Sequence, residues 1–152
     1  MIDPGPHHRP RMKKLSFALL AVLSACQLVP TGVGEATRRL GTIQFHADPI
    51  RITAPANVQA GVPFTVQVIT YGGGCVSQGD TEAAVTGGDA QVTVYDRARD
   101  PGPNAVCTME LRMYEHTATL QFAQPGPATL RVRGWKEPEQ EEITIERQIV
   151  VQ

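Results

Sequence analysis

The stretch Pro63–Phe64–Thr65–Val66–Gln67–Val68–Ile69–Thr70–Tyr71 puts Phe64, Val66 and Val68 on one side of the chain and Thr65 and Gln67 on the other. That period of two is the mark of an extended strand with one face in a core. Gly72, Gly73 and Gly74 end the strand just before Cys75, where glycine lets the chain turn sharply. No helix carrying a Lys and a Ser or Thr follows, so these glycines do not read as a phosphate cradle. Working outward, the same period recurs. Thr81 to Thr86 and Ala90 to Tyr95 flank a turn at Gly87 and Gly88, with Val92 and Val94 on one face. Arg97 to Asn104, with Asp100, Pro101, Gly102 and Pro103, reads as a loop. Thr117 to Ala123 turns Ala118, Leu120 and Phe122 inward; Ala128 to Gly134 does so with Leu130 and Val132, and Gln124 to Pro127 between them predicts a hairpin. Beyond the polar run Lys136 to Glu142, Ile143, Ile145, Ile149 and Val151 share a face that Arg147 interrupts. On the N-terminal side, Ile50 and Ile52 alternate with Arg51 and Thr53, and Pro55 to Gly61 is a turn-rich link. About seven short strands, closely spaced turns and no long amphipathic helix predict an all-β fold, an antiparallel sandwich over 42–152.

The N-terminal quarter has a different character. Lys13 and Lys14 precede Leu15 to Ala25, an eleven-residue and mostly apolar run that is too short to span a bilayer and fits the hydrophobic region of a signal peptide. Residues 1–11, with Asp3, Pro4, Gly5, Pro6, His7 and His8, show no periodicity and read as a spurious extension ahead of a start at Met12. His7 and His8 fall in a segment that processing removes, so they carry no weight as metal ligands. Gln27 to Arg39, with Pro30, Gly32 and Gly34, has the composition of a spacer. Setting aside Arg9, Arg11, Lys13, Lys14 and Asp3 leaves 10 basic and 14 acidic residues, a net charge of -4. Such a domain has no basic stripe for neutralising phosphates, and nucleic acid is not an expected partner.

The apolar run closes on Leu23, Ser24, Ala25 and Cys26, which resembles the lipobox of bacterial lipoproteins. The resemblance implies a signal peptide over 12–25, cleavage before Cys26, acylation of Cys26 and a lipid-anchored tether over 26–41. Gln27, where Asp would favour retention in the inner membrane, implies the outer membrane facing the periplasm. Several acyl chains on one residue make a stable anchor, since each buried methylene contributes about 0.8 kcal/mol. Residues 42–152 resemble the immunoglobulin-like folds of bacterial surface proteins in strand number and in turns such as Gln59–Ala60–Gly61–Val62–Pro63–Phe64. They depart from the antibody pattern, because Cys75 and Cys107 are close in sequence and Trp135 follows a late strand, so only the architecture carries over.

With Cys26 taken by lipid, Cys75 and Cys107 remain as an even pair in an oxidising compartment, and a disulfide between them is expected. It would draw Gly72 to Gly79 against Ala98 to Val106, the expected binding surface. Cys107, Met109, Met113 and His116 also gather soft sulfur and imidazole, the ligand types of a periplasmic copper site. The competing reading makes Met109, Leu111 and Met113 core side chains and His116 a loop residue. For nucleophilic catalysis the signs are poor. The mature chain keeps only His46, His116 and Ser77 of the relevant types, without a Gly-flanked nucleophile turn. Glu141 and Glu142 are adjacent and would face opposite sides of a strand rather than act as an acid–base couple. The sequence therefore predicts a lipid-anchored, non-catalytic envelope protein without cofactors, presenting a binding or structural sandwich to an envelope protein or a glycan. Copper binding through Met109, Met113 and His116, or inhibition of an envelope hydrolase, are the alternatives.

Overall fold

The computed structural model describes residues 35–152; the extension, the signal peptide, Cys26 and the spacer up to Gly34 lie outside the described residues. Ten strands follow one another: β1 (Thr37–Leu40), β2 (Thr42–Phe45), β3 (Ile52–Thr53), β4 (Asn57–Val58), β5 (Phe64–Gly72), β6 (Val76–Thr86), β7 (Asp89–Ala98), β8 (Arg112–Leu120), β9 (Gly126–Glu137) and β10 (Glu141–Val151). Six are long and four have two to four residues, so the fold is the expected all-β sandwich with a few short strands added. One layer runs β6–β7–β9–β10, with β4 at the far end of β10. The facing layer is β3–β5–β8.

The alternation read from the sequence explains which faces meet. Val66 and Val68 of β5 and Ala118 and Leu120 of β8 pack on Val92 and Val94 of β7, Leu130 and Val132 of β9, and Ile149 and Val151 of β10 in one buried cluster. Removing such side chains from water is the main favourable term in the fold, at about 25 cal/mol per Å² of apolar surface. The β6–β7 hairpin turns at Gly87 and Gly88 as the sequence predicts.

Thr117–Ala123 and Ala128–Gly134 do not form a hairpin. β8 pairs with β5, whereas β9 pairs with β10, β7 and β2. Between β8 and β9 the chain changes layers, and Phe122 fills the gap, buried and stacked on Phe64 at 5.6 Å. Alternation fixes which side chains point inward, and inward Leu120 and Leu130 are satisfied equally by pairing or by facing each other across the core. Trp135 lies within β9 rather than after it.

The domain also begins earlier than residue 42. β1 lies antiparallel to the end of β7, from Thr37 opposite Ala98 to Leu40 opposite Tyr95. β2 then runs parallel to β9, from Thr42 opposite Trp135 to Phe45 opposite Glu137, and also meets Tyr71 of β5. Arg38 fastens β1: its guanidinium lies 3.3 Å from the centre of the Tyr95 ring and bridges to Asp80 and Glu82. The Arg38 hydrogen bond holds the Asp80 carboxyl below its ordinary value. A composition rich in Thr, Arg and Gly reads as spacer because these contacts are made with side chains distant in sequence.

β1 and β2 form a V whose tip, Gly41, wedges between β7 and β9. Its N–H donates to the Val94 carbonyl and its own carbonyl accepts from Trp135, both at 2.9 Å. A Cβ at position 41 would lie 2.6 Å from Thr70 Cγ2 and 3.0 Å from Asp96 Oδ2. Gly41→Ala should therefore cost about 1–3 kcal/mol, the usual range for overpacking a core; urea unfolding checks this, and an unchanged midpoint would mean that the wedge has slack.

Candidate functional site

Two connections cross between the layers at the end of the sandwich where β1 enters. Gly72 to Cys75 carries the chain from β5 to β6, and 99–111 carries it from β7 to β8. The Cys75–Cys107 disulfide links them, as the cysteine count predicts. Backbone hydrogen bonds reinforce it: the Arg99 N–H donates to the Cys75 carbonyl at 2.9 Å and the Gly74 N–H to the Thr108 carbonyl at 3.2 Å. The approach is close enough that a Cβ on Gly74 would sit 1.8 Å from Thr108 Oγ1, so glycine is required there. Cross-linking residues 32 apart in sequence removes denatured-state entropy equivalent to roughly 3–4 kcal/mol.

Directly inside this end lies a buried polar cluster that the sequence reading missed. His116 sits on the inward face of β8, not in a loop, and is 1% exposed. Its Nε2 is 3.1 Å from Asp96 Oδ1 on β7 and 3.1 Å from Thr70 Oγ1 on β5, and its Nδ1 is 3.1 Å from Thr81 Oγ1 on β6. A carboxylate can only accept, so Nε2 donates to Asp96; in the neutral ring Nδ1 then accepts the Thr81 hydroxyl proton. A bulge between Gln78 and Thr81 aims that hydroxyl inward. Asp96 Oδ2 is buried without a partner among the described residues. The order carboxylate, imidazole, hydroxyl is that of a nucleophilic relay, yet the whole set faces the core. Its visible role is mechanical: one imidazole joins β5, β6, β7 and β8 across the seam between β6 and β8, which share no backbone ladder. Tyr114 Oη, donating to the Val76 carbonyl at 2.6 Å, bridges the same seam.

A signal for the cluster was present in the sequence. Thr70 continues the phase of Val66 and Val68, Asp96 that of Val92 and Val94, and His116 that of Ala118 and Leu120. Polar residues in an apolar phase demand a partner.

The copper ligand set is not brought together. Met113 faces solvent from the side of β8 opposite to His116, and Met109 precedes the strand at the edge of the domain. Both ring nitrogens of His116 are engaged, and Cys107 is in the disulfide. Among the described residues no group of three or more His, Cys, Asp or Glu side chains could hold a metal. Met109, Leu111 and Met113 are not core side chains either. They are 102%, 52% and 57% exposed, and Val106 is 89% exposed. Met109 and Leu111 line a groove of about 350 Å³ together with Arg39, Phe45, Tyr71, Thr108 and Glu137. Phe45 and Tyr71 stack at 6.5 Å along its wall, and the Tyr71 hydroxyl donates to the Pro49 carbonyl.

The ORF11 beta-sandwich domain matches residues 64–145, more than half of the chain and all of β5 to β9. The chain belongs to the ORF11 beta-sandwich domain family. No curated protein and no solved structure matches it. The ORF11 beta-sandwich match takes in the disulfide, the exposed loop and all four members of the polar cluster, and it leaves out the V of β1 and β2.

The cluster makes a sharp prediction for this ORF11 beta-sandwich. His116→Leu leaves Asp96 buried with no imidazole and should cost about 3–5 kcal/mol, as breaking a buried polar pair does. Adding Asp96→Leu should recover part of that loss, since an apolar pair needs no partners. Chemical denaturation of both variants decides it; a double variant less stable than His116→Leu alone would rule out the uncompensated carboxylate as the cause.

Proposed function

We propose that this protein is a lipid-anchored, non-catalytic component of the bacterial cell envelope, held in the outer membrane through acylated Cys26 and using its sandwich as a binding or structural module. The observation that carries the reading is the division of labour at the disulfide end. Groups capable of proton transfer, His116 and Asp96, are turned into the core and bonded to each other there, while the apolar side chains of Val106, Met109, Leu111 and Met113 are turned out to solvent. Four large apolar side chains exposed between Val106 and Met113 mark an interaction site more often than an accident of packing. Loops fixed on a rigid scaffold are where binding residues concentrate, and here the bond between Cys75 and Cys107 does the fixing.

The surface is broader than Gly72–Gly79 with Ala98–Val106, because exposed apolar residues continue through Met109 and Leu111 to Met113 at the start of β8. Location supports the same reading. A basic pair, an apolar run and Leu23–Ser24–Ala25–Cys26 occur in the order that lipoprotein processing requires, and the disulfide belongs to an oxidising compartment.

In a bacterial host the protein should partition into the detergent phase, and Cys26→Ser should move it to the aqueous phase or leave it unprocessed. Intact mass on the purified protein checks the same point, and an unmodified chain retaining residues before Cys26 would refute the anchor.

A further inference from the structure

We propose that the loop 105–111 is itself a membrane contact: its apolar tips dip into the interface of the same bilayer that holds the lipid, so the domain lies with its disulfide end on the membrane. This rests on the anchoring of Cys26 proposed above. The structure contributes the orientation.

The described chain enters the domain at the disulfide end. Thr37 lies opposite Ala98, the residue from which the 99–111 loop departs, and Val76 pairs with the same Ala98. Ala36 lines a recess with Cys75, Arg97, Arg99 and Ala105. Ala36 follows Cys26 by ten chain steps, and a fully extended chain spans at most about 3.6 Å per step. The disulfide end therefore stays within roughly 36 Å of the acylated sulfur. The β1–β7 ladder, with Arg38 stacked on Tyr95 and bridged to Asp80, holds the entry strand to the sheet at this end.

Val106 and Met109, almost fully exposed, protrude at that end, with Leu111 behind them. Exposed apolar side chains on a loop suit a lipid interface, where an apolar face enters about 5–10 Å into the headgroup and acyl boundary. Arg97 and Arg99 stand beside the entry of the chain, placed to meet lipid phosphates while the loop tips meet acyl chains. Of the two acidic residues in the loop, Asp100 accepts from the Gly102 N–H and Glu110 is bridged to Arg112, and the Arg112 hydrogen bond keeps the Glu110 carboxyl below its ordinary value. A loop contact too weak to hold a free protein is sufficient here, because the anchor makes it intramolecular.

The test uses the full, lipidated chain with Trp135→Phe and Met109→Trp, which leaves one indole, at position 109. A companion protein carries Trp135→Phe and Thr86→Trp, with the indole at the opposite end of the sandwich. Each is reconstituted into vesicles of phosphatidylethanolamine and phosphatidylglycerol with brominated acyl chains, after thermal melting has shown that it folds. The expected result is strong, blue-shifted quenching of the indole at 109, several-fold greater than at 86. Equal quenching at the two positions, with detergent partitioning intact, would overturn the loop contact and leave the anchor standing. Loss of partitioning in the otherwise wild-type chain would overturn the anchor and this inference together.

Discussion

His116 is gripped through both ring nitrogens by Asp96, Thr70 and Thr81, so that one buried side chain joins four strands of the two layers. A buried hydrogen-bond set of this kind contributes modestly while intact and is costly to break, because each abandoned partner loses both its bond and its water. The constraint also sets the shape of the disulfide end. β6 and β8 approach each other there without a ladder, and the imidazole with the Tyr114 hydroxyl supplies the contacts that backbone pairing would otherwise make.

The disulfide acts on the same region from outside. The Cys75–Cys107 bond ties the two crossings between the layers at this end to each other, and Thr108 packs so tightly on Gly74 that only glycine fits. Beneath them Gly41 presses on Thr70 and Asp96, joining the entry strand to the polar cluster. The consequence is a firm platform from which Val106, Met109 and Leu111 project. Preformed apolar tips bind at a lower entropic cost than ones that must first be ordered.

Much of the core was legible because alternation reports burial directly: Val66, Val68, Val92, Val94, Leu130 and Val132 all face inward as their phase predicts. Pairing was less legible. Leu120 and Leu130 are inward in a hairpin and in a crossover alike, and only the pairing of β8 with β5 and of β9 with β10 shows that the chain changes layers. The Cys75–Cys107 bond could be inferred from a count, whereas the V of β1 and β2 depends on Arg38 meeting Asp80 and Tyr95, which no local pattern encodes. Of the site, His116 was singled out as a soft ligand, and its actual partners Asp96, Thr70 and Thr81 went unread although three of the four polar residues sit in apolar phases. Met109, Leu111 and Met113 mimic a strand, and their alternation ends in solvent because the disulfide diverts the chain ahead of β8.

The central claim is that bond and cluster together keep the disulfide end ordered as a unit distinct from the far side of the sandwich. Amide hydrogen exchange on the folded protein, with the Cys75–Cys107 bond intact and after its reduction, tests this most directly. Reduction should raise exchange across 73–76 and 99–111 by at least about tenfold, the equivalent of roughly 1.4 kcal/mol, while the amides shared by β9 and β10 keep their protection. Unchanged exchange in the loop, or equal loosening of β9 and β10, would contradict the account.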